Sequence, residues 1–409
     1  MRKFAIFLII FCQLCFASPS MSWAADLSLE QQVKEMKEQF AAMQAKMGMY
    51  EKRIADLEDQ LAKQQAQPVA VAAAPVPNRL IPAKWTPEIG VVADTVLKLD
   101  SSKADVNGNN RLSLRELELV FGSNVDPFSR LDATISFSDS DTPDLEEAYL
   151  TRFGLPFDTT ARFGEFKPKV GKVLGTHRDS LDTVDEPLVI QRYFGSEGMH
   201  KAGLDFTKTL DLPLPVTQQV VFGVIEGGNG NNGTAFGTRR SSPTVYTHLK
   251  NYKDLSDTMG LEVGGSYMAG SKDENVDMDT RIAAADITLI KHLNANQDLK
   301  LQSEVFNLDR AKTVGADGNL WGAYGLLDFR FHPQWSAGFR YDYAQIVDNP
   351  VTNPGKADYG ETGYLTFYQS EFARWRMQYT HTTLATGKDD NTFYLQGTFA
   401  IGDHKHKLQ

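Results

Sequence analysis

The segment from Trp335 to Gln345 alternates between two kinds of side chain. One set is apolar or aromatic: Trp335, Ala337, Phe339, Tyr341 and Tyr343. The other set is small, polar or charged: Ser336, Gly338, Arg340, Asp342 and Ala344. Successive side chains of a strand point to opposite sides, so this segment predicts a strand with one greasy and one polar face. The pattern recurs along the last three-quarters of the chain, as is typical of a β-barrel in a membrane.

The first 24 residues predict a secretory signal peptide. A basic start precedes the apolar run 4–16, which is too short to span a bilayer as a helix, and Ala24 offers a cleavage site. Both cysteines, Cys12 and Cys15, lie in this segment, so the rest of the chain is expected to form no disulfide and no zinc–thiolate site. The net charge of −10 argues against nucleic-acid binding.

Residues 26–66 predict an α-helical coiled coil. Apolar residues recur at alternating spacings of three and four from Val33 to Leu61, which is the period of a supercoiled seam. A single amphipathic helix packed on the barrel is the alternative interpretation. Residues 67–84 are rich in proline and alanine and predict a stiff linker, because proline prevents a helix from continuing.

Residues 85–403 contain sixteen candidate strands, followed by a polar tail at 404–409. The predicted fold class is therefore all-β, a sixteen-stranded antiparallel transmembrane barrel preceded by a short coiled coil. Connections alternate between tight turns and longer loops rich in Gly, Asn and Asp, which predicts short periplasmic turns and longer external loops. Aromatic residues near the tight turns predict an interfacial girdle: Trp85, Phe128, Phe157, Tyr252, Phe331, Trp335 and Phe372.

Six short segments between residues 111 and 206 resemble the phosphate-selective porin (O/P-type) superfamily. They are LRELEL at 114–119, NVDPF at 124–128, EEAYL at 146–150, RFGEFK at 162–167, DEPL at 185–188 and FGSEG at 194–198. The resemblance implies a sixteen-stranded, trimeric, passive channel in the bacterial outer membrane. One departure is that the chain does not end on an aromatic residue: Phe399 is followed by a polar tail.

The longest loop, about 169–200, is the third external one, and its position and length predict that it folds into the lumen to form a constriction. The arginines at 330, 340, 374 and 376 on the inward faces of neighbouring strands predict a basic wall, which would favour anions or, opposite an acidic loop, set up a transverse field. Lumenal Arg–Asp pairs that merely neutralise each other, such as Arg340 with Asp328 or Asp342, are an equal alternative. The candidates for the pore wall and the constriction are Arg162, Lys167, Arg178, Asp179, Asp182, Asp185, Glu186, Arg330, Arg340, Arg374 and Arg376.

These features predict an outer-membrane porin that passes small hydrophilic solutes and ions by diffusion, possesses no enzymatic activity and needs no cofactor or metal. The expected partners are outer-membrane lipid and two further copies of the chain, joined through the barrel and the periplasmic coiled coil. One alternative is a substrate-specific or TonB-dependent receptor; the latter needs about 22 strands. Another is a structural protein that tethers the envelope through its coiled coil.

Two further features of the sequence, a calcium-loop spacing and a rim histidine, have simpler interpretations. The segment Asp105–Glu116 has much of the spacing of a calcium-binding loop, but Asn110 stands where that loop needs glycine and no helix precedes it. A turn between strands is the preferred interpretation. His381 near the outer rim has no identifiable serine partner for a lipase-like site, and a structural role is expected.

Overall fold

The computed structural model describes residues 87–101, 110–138, 143–228, 235–237, 240–271, 280–310, 319–346 and 356–402. The predicted signal peptide, coiled coil, linker and C-terminal tail lie outside these residues, and so does Trp85 of the predicted girdle. Residues 105–109 of the segment with calcium-loop spacing lie outside them too, whereas residues 111–116 of that segment lie in a strand. Among the described residues, no helix is long and apolar enough to cross a membrane.

Sixteen β-strands account for most of the described residues. They are β1 (Glu88–Asp100), β2 (Arg111–Asp126), β3 (Ser129–Phe137), β4 (Asp144–Leu155), β5 (Thr159–Phe166), β6 (Lys201–Leu210), β7 (Thr217–Ile225), β8 (Thr244–Ser256), β9 (Met259–Gly270), β10 (Thr280–Asn294), β11 (Gln297–Arg310), β12 (Asn319–His332), β13 (Trp335–Gln345), β14 (Ala357–Ser370), β15 (Ala373–Thr383) and β16 (Asp389–Gly402). The described part of the chain also contains a short helix, α1 (Leu188–Tyr193), and two 3₁₀ turns, Pro156–Asp158 and Arg178–Ser180.

Each strand pairs antiparallel with its neighbours in sequence, and β1 pairs with β16 to close the barrel. Closure leaves no strand edge unpaired, which confirms the predicted sixteen-stranded antiparallel barrel. Gly90 of β1 lies opposite Gly402 of β16, and Glu88 lies opposite Gly122 near the turn between β2 and β3. The barrel therefore begins and ends at its short-turn end.

The outer face is apolar and the inner face is polar, as the alternation predicts. On β13, Phe339 and Tyr341 are exposed, whereas Arg340 and Asp342 between and beside them are fully buried inside. Strands β12, β15 and β16 follow the same rule: Trp321, Trp375 and Phe399 face outward. The exposed apolar surface is larger and more continuous than the apolar patches on a water-soluble monomer. A lipid bilayer is the environment that suits such a surface.

Aromatic residues cluster at the short-turn end of the outer face. Phe128, Phe157 and Phe372 are exposed there. Trp335 stacks against Phe367 with ring centroids 4.7 Å apart. Amphipathic and aromatic rings favour the water–lipid boundary, so these positions agree with the predicted girdle. The prediction is wrong for Tyr252, which lies on the same inward face of β8 as the buried Tyr246 and His248.

Candidate functional site

The long connection between β5 and β6 lies inside the barrel. We call residues 167–200 the inner loop. Its backbone contacts strands that are not its neighbours: Gly171 N–H donates to Ser266 of β9 at 2.9 Å, and Val184 N–H donates to Gln378 of β15 at 2.7 Å. The inner loop leaves the wall at β5 and reaches β9, four strands away in one direction, and β15, six strands away in the other, so it crosses the interior, in the place the sequence predicts.

Glu304 on β11 anchors the first bend of the inner loop. Its carboxylate accepts hydrogen bonds from the N–H groups of Lys172 and Val173, at 2.8 and 2.9 Å, and from the hydroxyl of Tyr324 at 2.7 Å. The approach is close because residue 171 is glycine: a Cβ there would lie 2.0 Å from the Glu304 carboxylate, and its φ of +62° also favours glycine. These contacts fix the position of the bend.

An apolar cluster holds the middle of the inner loop against the wall. Loop side chains and wall side chains are buried together in it: Val173, Leu174, Val189, Ile190, Tyr193 and Phe194 from the loop, and Phe306, Leu308, Leu320 and Leu326 from β11 and β12. Helix α1 fits there because Gly322 of β12 faces it: a Cβ at Gly322 would lie 2.3 Å from Val189. The lumen at this level is thus a packed core, which sequence reasoning missed.

Arg340 is the main polar link between the wall and the second half of the inner loop. It donates to Asp342 at 2.7 Å, to the carbonyl of Asp185 at 2.7 Å and to the carbonyl of Glu186 at 3.3 Å, and also to Thr183. Asp342 in turn accepts from the N–H of Leu188 at 3.1 Å, where α1 begins. The pair of Arg340 with Asp342 is thus one of the neutralising Arg–Asp pairs that the sequence left open as an alternative, while Asp328 accepts from Tyr364 at 2.9 Å.

The opposite wall carries an acidic cluster, which we call the acidic wall: Glu116, Glu118, Glu146 and Glu147. All four are buried inside. Strict alternation would send Glu146 and Glu147 to opposite faces, but the register between β3 and β4 shifts at this point, so Glu146 is an extra residue in a bulge. A similar shift between β1 and β2 leaves Arg115, next to Glu116, without an opposite residue on β1. Bulges re-aim side chains, and single-sequence alternation does not reveal them.

His177 and Lys167 of the inner loop lie against the acidic wall. His177 Nε2 is 3.1 Å from Glu147 and its Nδ1 is 3.5 Å from Glu146. Lys167 Nζ is 3.5 Å from Glu146. Burial by itself would lower the pKa of His177, but its hydrogen bonds with Glu146 and Glu147 outweigh burial and raise it to about 10. In the absence of other cations, His177 is therefore protonated at neutral pH.

The other predicted site residues are drawn into local pairs. Arg162 points into the barrel and pairs with Asp205 of β6. Asp182 pairs with Lys300 at 2.7 Å, and Asp185 with Arg340 at 3.3 Å. These pairs neutralise charge within the lumen.

Three further predicted residues differ in their surroundings. Arg178 pairs with Glu197 at 3.3 Å, within the inner loop. Asp179 is buried, and its carbonyl accepts from Arg374. Glu186 is buried too, and burial raises its pKa to about 7 despite the lowering effects of Lys167 and Arg178.

Three of the predicted arginines lie on the basic side of the lumen. Arg330 is half-buried and stacks over Tyr368, 4.5 Å from the ring centre. Arg374 and Arg376 on β15 are buried, and within the described residues neither has a carboxylate in ion-pair range. Arg376 donates to Thr366 at 3.1 Å and Gln396 at 3.4 Å instead.

Among the cavities that the described residues form, two border the inner loop. One, of about 230 Å³, is lined by residues at the short-turn end of β8 to β10, including Tyr252, Glu262 and Thr288. The other, of about 190 Å³, lies between the inner loop and β11 to β13 and includes Asp182 and Lys300 in its lining. Lys172 borders both cavities.

Partly exposed charges lie beside these cavities. Glu262 accepts from Lys172 at 2.5 Å and from Lys250 at 2.8 Å, while Asp182 pairs with Lys300. Three lysines thus meet two carboxylates in this region. Sequence reasoning did not select Lys172, Lys250, Glu262 or Lys300. The inward positions of Glu262 on β9 and Lys300 on β11 could have identified these two.

The fold is similar to those of solved outer-membrane proteins, one of which is described as a channel. The outer-membrane channel DcaP of Acinetobacter baumannii matches with a TM-score of 0.51 and 10% identity, over 77% of this chain and 96% of that one. A loop-deletion mutant of OmpT, an outer-membrane protein of Vibrio cholerae, matches with a TM-score of 0.50 and 11% identity, over 77% and 99%. OprB of Pseudomonas putida matches with a TM-score of 0.50 and 10% identity, over 77% and 94%.

Sequence comparison adds little about function. An uncharacterized protein of Aquifex aeolicus (strain VF5) is 26% identical over 339 residues, 73% of this chain and 70% of that protein. No protein-family model matches the chain. The fold is thus shared with outer-membrane channels, whereas the resemblance to phosphate-selective porins stays a prediction.

Proposed function

We propose that this chain is an outer-membrane porin, a water-filled channel for the passive diffusion of small hydrophilic solutes and ions. The observation that carries the proposal is a closed barrel with an apolar exterior, a charged interior and a loop anchored across its lumen. Within a bilayer, a closed barrel satisfies every backbone polar group internally. Beside the packed cluster of the inner loop, the rest of the interior is polar and suits water. Diffusion needs neither a cofactor nor a catalytic group.

The inner loop would act as the constriction. Its two ends leave the wall at β5 and β6, and its middle is tied to β11, β13 and β15 by buried hydrogen bonds. Solutes would pass beside it, along the region bordered by Lys172, Lys300 and Asp182. Because three lysines meet two carboxylates there, the finer proposal is a weak preference for anions.

The location and assembly belong to the same proposal. The barrel begins and ends at the short-turn end, which faces the periplasm in bacterial barrels, so the predicted coiled coil at 26–66 would extend into the periplasm. Self-association is supported by the heptad spacing of that segment, and the number three by the resemblance at 111–206. A TonB-dependent receptor is less well supported, because sixteen strands in the described residues fall short of the number such barrels use.

Liposome swelling tests the proposal. Purified protein is reconstituted into liposomes, which are then diluted into isotonic solutions of sugars of increasing size. We expect faster swelling than in protein-free liposomes, with rates that fall as the sugar grows. Swelling no faster than that of liposomes holding heat-denatured protein, for the smallest sugar, would overturn the proposal.

A further inference from the structure

We propose that the acidic wall and His177 form a binding site for one divalent transition-metal ion of the Zn²⁺ type, which clamps the inner loop to the barrel. The ligands would be carboxylate oxygens of Glu118 and Glu146 and one ring nitrogen of His177. One candidate ligand atom from each of these three buried residues lies within 4.8 Å of the other two. The ion would join β2, β4 and the inner loop.

The distances are close to those of a coordinated ion. Two ligands that each lie about 2.1 Å from a tetrahedral Zn²⁺ are roughly 3.4 Å apart. The Nδ1 atom of His177 and a carboxylate oxygen of Glu146 are already 3.5 Å apart. A ligand atom of Glu118 lies within 4.8 Å of both residues, and a water molecule would complete the four positions.

Glu118 supplies an independent indication of a ligand. Its side chain is 98% buried, yet its Oε2 atom has no hydrogen-bond partner within the described part of the chain. A buried carboxylate oxygen without a partner is costly. A metal ion between Glu118, Glu146 and His177 would satisfy it.

The other ring nitrogen of His177 has the partner that metal-bound histidines need. Nε2 lies 3.1 Å from Glu147, so this carboxylate can accept a hydrogen bond from Nε2–H. That bond would direct Nδ1 towards Glu118 and Glu146. Such a carboxylate–histidine pair orients the ring and strengthens it as a ligand. The combination of one imidazole with two carboxylates suits Zn²⁺ and its first-row neighbours better than Ca²⁺ or Mg²⁺, which prefer oxygen alone.

The charges also favour a dication. Of the four buried carboxylates of the acidic wall, Glu146 and Glu147 have direct ionic contacts with Lys167 or His177. Within the described part of the chain, Glu116 and Glu118 have no ion pair, and Arg178, which acts on Glu116 from a longer distance, is paired with the half-exposed Glu197. Two bulges, one on β2 and one on β4, are what turn this many carboxylates inward. A negative excess is expensive to bury, and a bound dication would offset it.

Metal content tests the site. The whole chain, with His404→Ala and His406→Ala to remove the tail histidines, is refolded in detergent with Zn²⁺ and passed through a desalting column. We expect about one Zn²⁺ per chain by mass spectrometry, and none retained from Ca²⁺ or Mg²⁺. Refolding with Co²⁺ should give the visible absorption of a coordinated ion.

Three variants and a control locate the ion. Glu118→Gln and His177→Gln should lose the metal and the Co²⁺ absorption, while Glu262→Gln, an inward carboxylate on β9, should retain both. Lys167→Gln should bind Zn²⁺ more tightly, because Lys167 competes for Glu146. Folding of each is checked by its heat-dependent shift on a gel.

Zn²⁺ should also slow hydrogen exchange of amides 176–180 in the parent and leave them unchanged in His177→Gln. Two results would overturn the proposal. The first is a parent that retains no more Zn²⁺ than His177→Gln, in which case protonated His177 alone neutralises the wall. The second is equal retention in the parent and in Glu118→Gln.

Discussion

At the scale of single residues, Arg340 ties the inner loop to the barrel. Its guanidinium is fully buried and binds Asp342 on its own strand together with Thr183 and the carbonyls of Asp185 and Glu186. A buried charge is tolerated only when its partners are in place. The main role of Arg340 is therefore structural. Its buried charge is poorly placed to interact with a passing ion.

Replacement of Arg340 by Gln should destabilise the protein strongly. The change leaves Asp342 buried without its cation, which costs roughly 3–5 kcal/mol in the free energy of unfolding. Urea unfolding in detergent measures the loss. Arg330→Gln is the matched control: it removes a half-buried arginine that stacks on Tyr368, at a cost of about 0.5–1 kcal/mol. Equal losses in the two variants would contradict the role given to Arg340.

Glu186 predicts a dependence of stability on pH. Its pKa is raised from 4.5 to about 7 by burial, so the folded protein holds this proton more tightly than the unfolded chain does. The associated stability is present below about pH 4.5 and is lost as the pH rises through 7, with a size on the order of 3 kcal/mol. Glu186→Gln should therefore be more stable than the parent at pH 8 and similar to it at pH 4.5.

Urea midpoints of the parent and Glu186→Gln at the two pH values measure this effect. Glu371→Gln, an exposed carboxyl between β14 and β15, is the control and should keep the parent's difference between the two pH values. A parent whose stability does not fall between pH 4.5 and pH 8, relative to Glu186→Gln, would contradict the prediction.

At the scale of elements, the inner loop fits the wall because two wall residues are small. A Cβ at Gly322 would collide with Val189 of α1, and one at Gly360 would lie 3.2 Å from Leu188. The close packing leaves no room for an added side chain, since cores are packed as densely as organic crystals. The loop and its strand receptors thus act as one structural unit.

Gly322→Val should displace α1 from the wall and change the single-channel conductance. The new side chain meets Val189 inside the barrel, so we expect a larger and less steady conductance as the inner loop loosens. Gly325→Val on the same strand faces outward into open space and is the control. A conductance of Gly322→Val that matches that of Gly325→Val would show that α1 does not narrow the passage.

The strands were predictable from sequence and the contacts of the inner loop were not. Period-two alternation marks each strand because one face meets lipid, as Phe339 and Arg340 illustrate, and this located sixteen strands to within a few residues. The assumption of a polar lumen failed at Phe306 and Leu308, whose inward faces pack against the loop. The bulge at Glu146 breaks the period locally, and the bond from Glu304 to Val173 joins residues far apart in sequence.

At the scale of the whole molecule, the lumen has two differently charged sides with the inner loop between them. Carboxylates are concentrated on β2 and β4, and arginines on β13 and β15. Most of these charges are buried in contacts with the loop. The partly exposed ones beside the cavities, such as Lys172, Lys300 and Glu262, are better placed to act on a moving ion.

The selectivity should follow those partly exposed lysines. We expect a reversal potential that favours chloride in a potassium chloride gradient, and a shift towards potassium in the double variant Lys172→Gln, Lys300→Gln. Lys291→Gln, an exposed position at the end of β10, should leave the reversal potential unchanged. A double variant with the parent's reversal potential would place the selective charges elsewhere.

Single-channel recording of the purified protein in a planar lipid bilayer tests the central claim most directly. The account predicts stepwise current increases as single molecules insert, with a current that is proportional to voltage at low voltage and to salt concentration, because the passage is a water-filled pore. Protein that is shown to be folded and inserted but gives no conductance steps would contradict it.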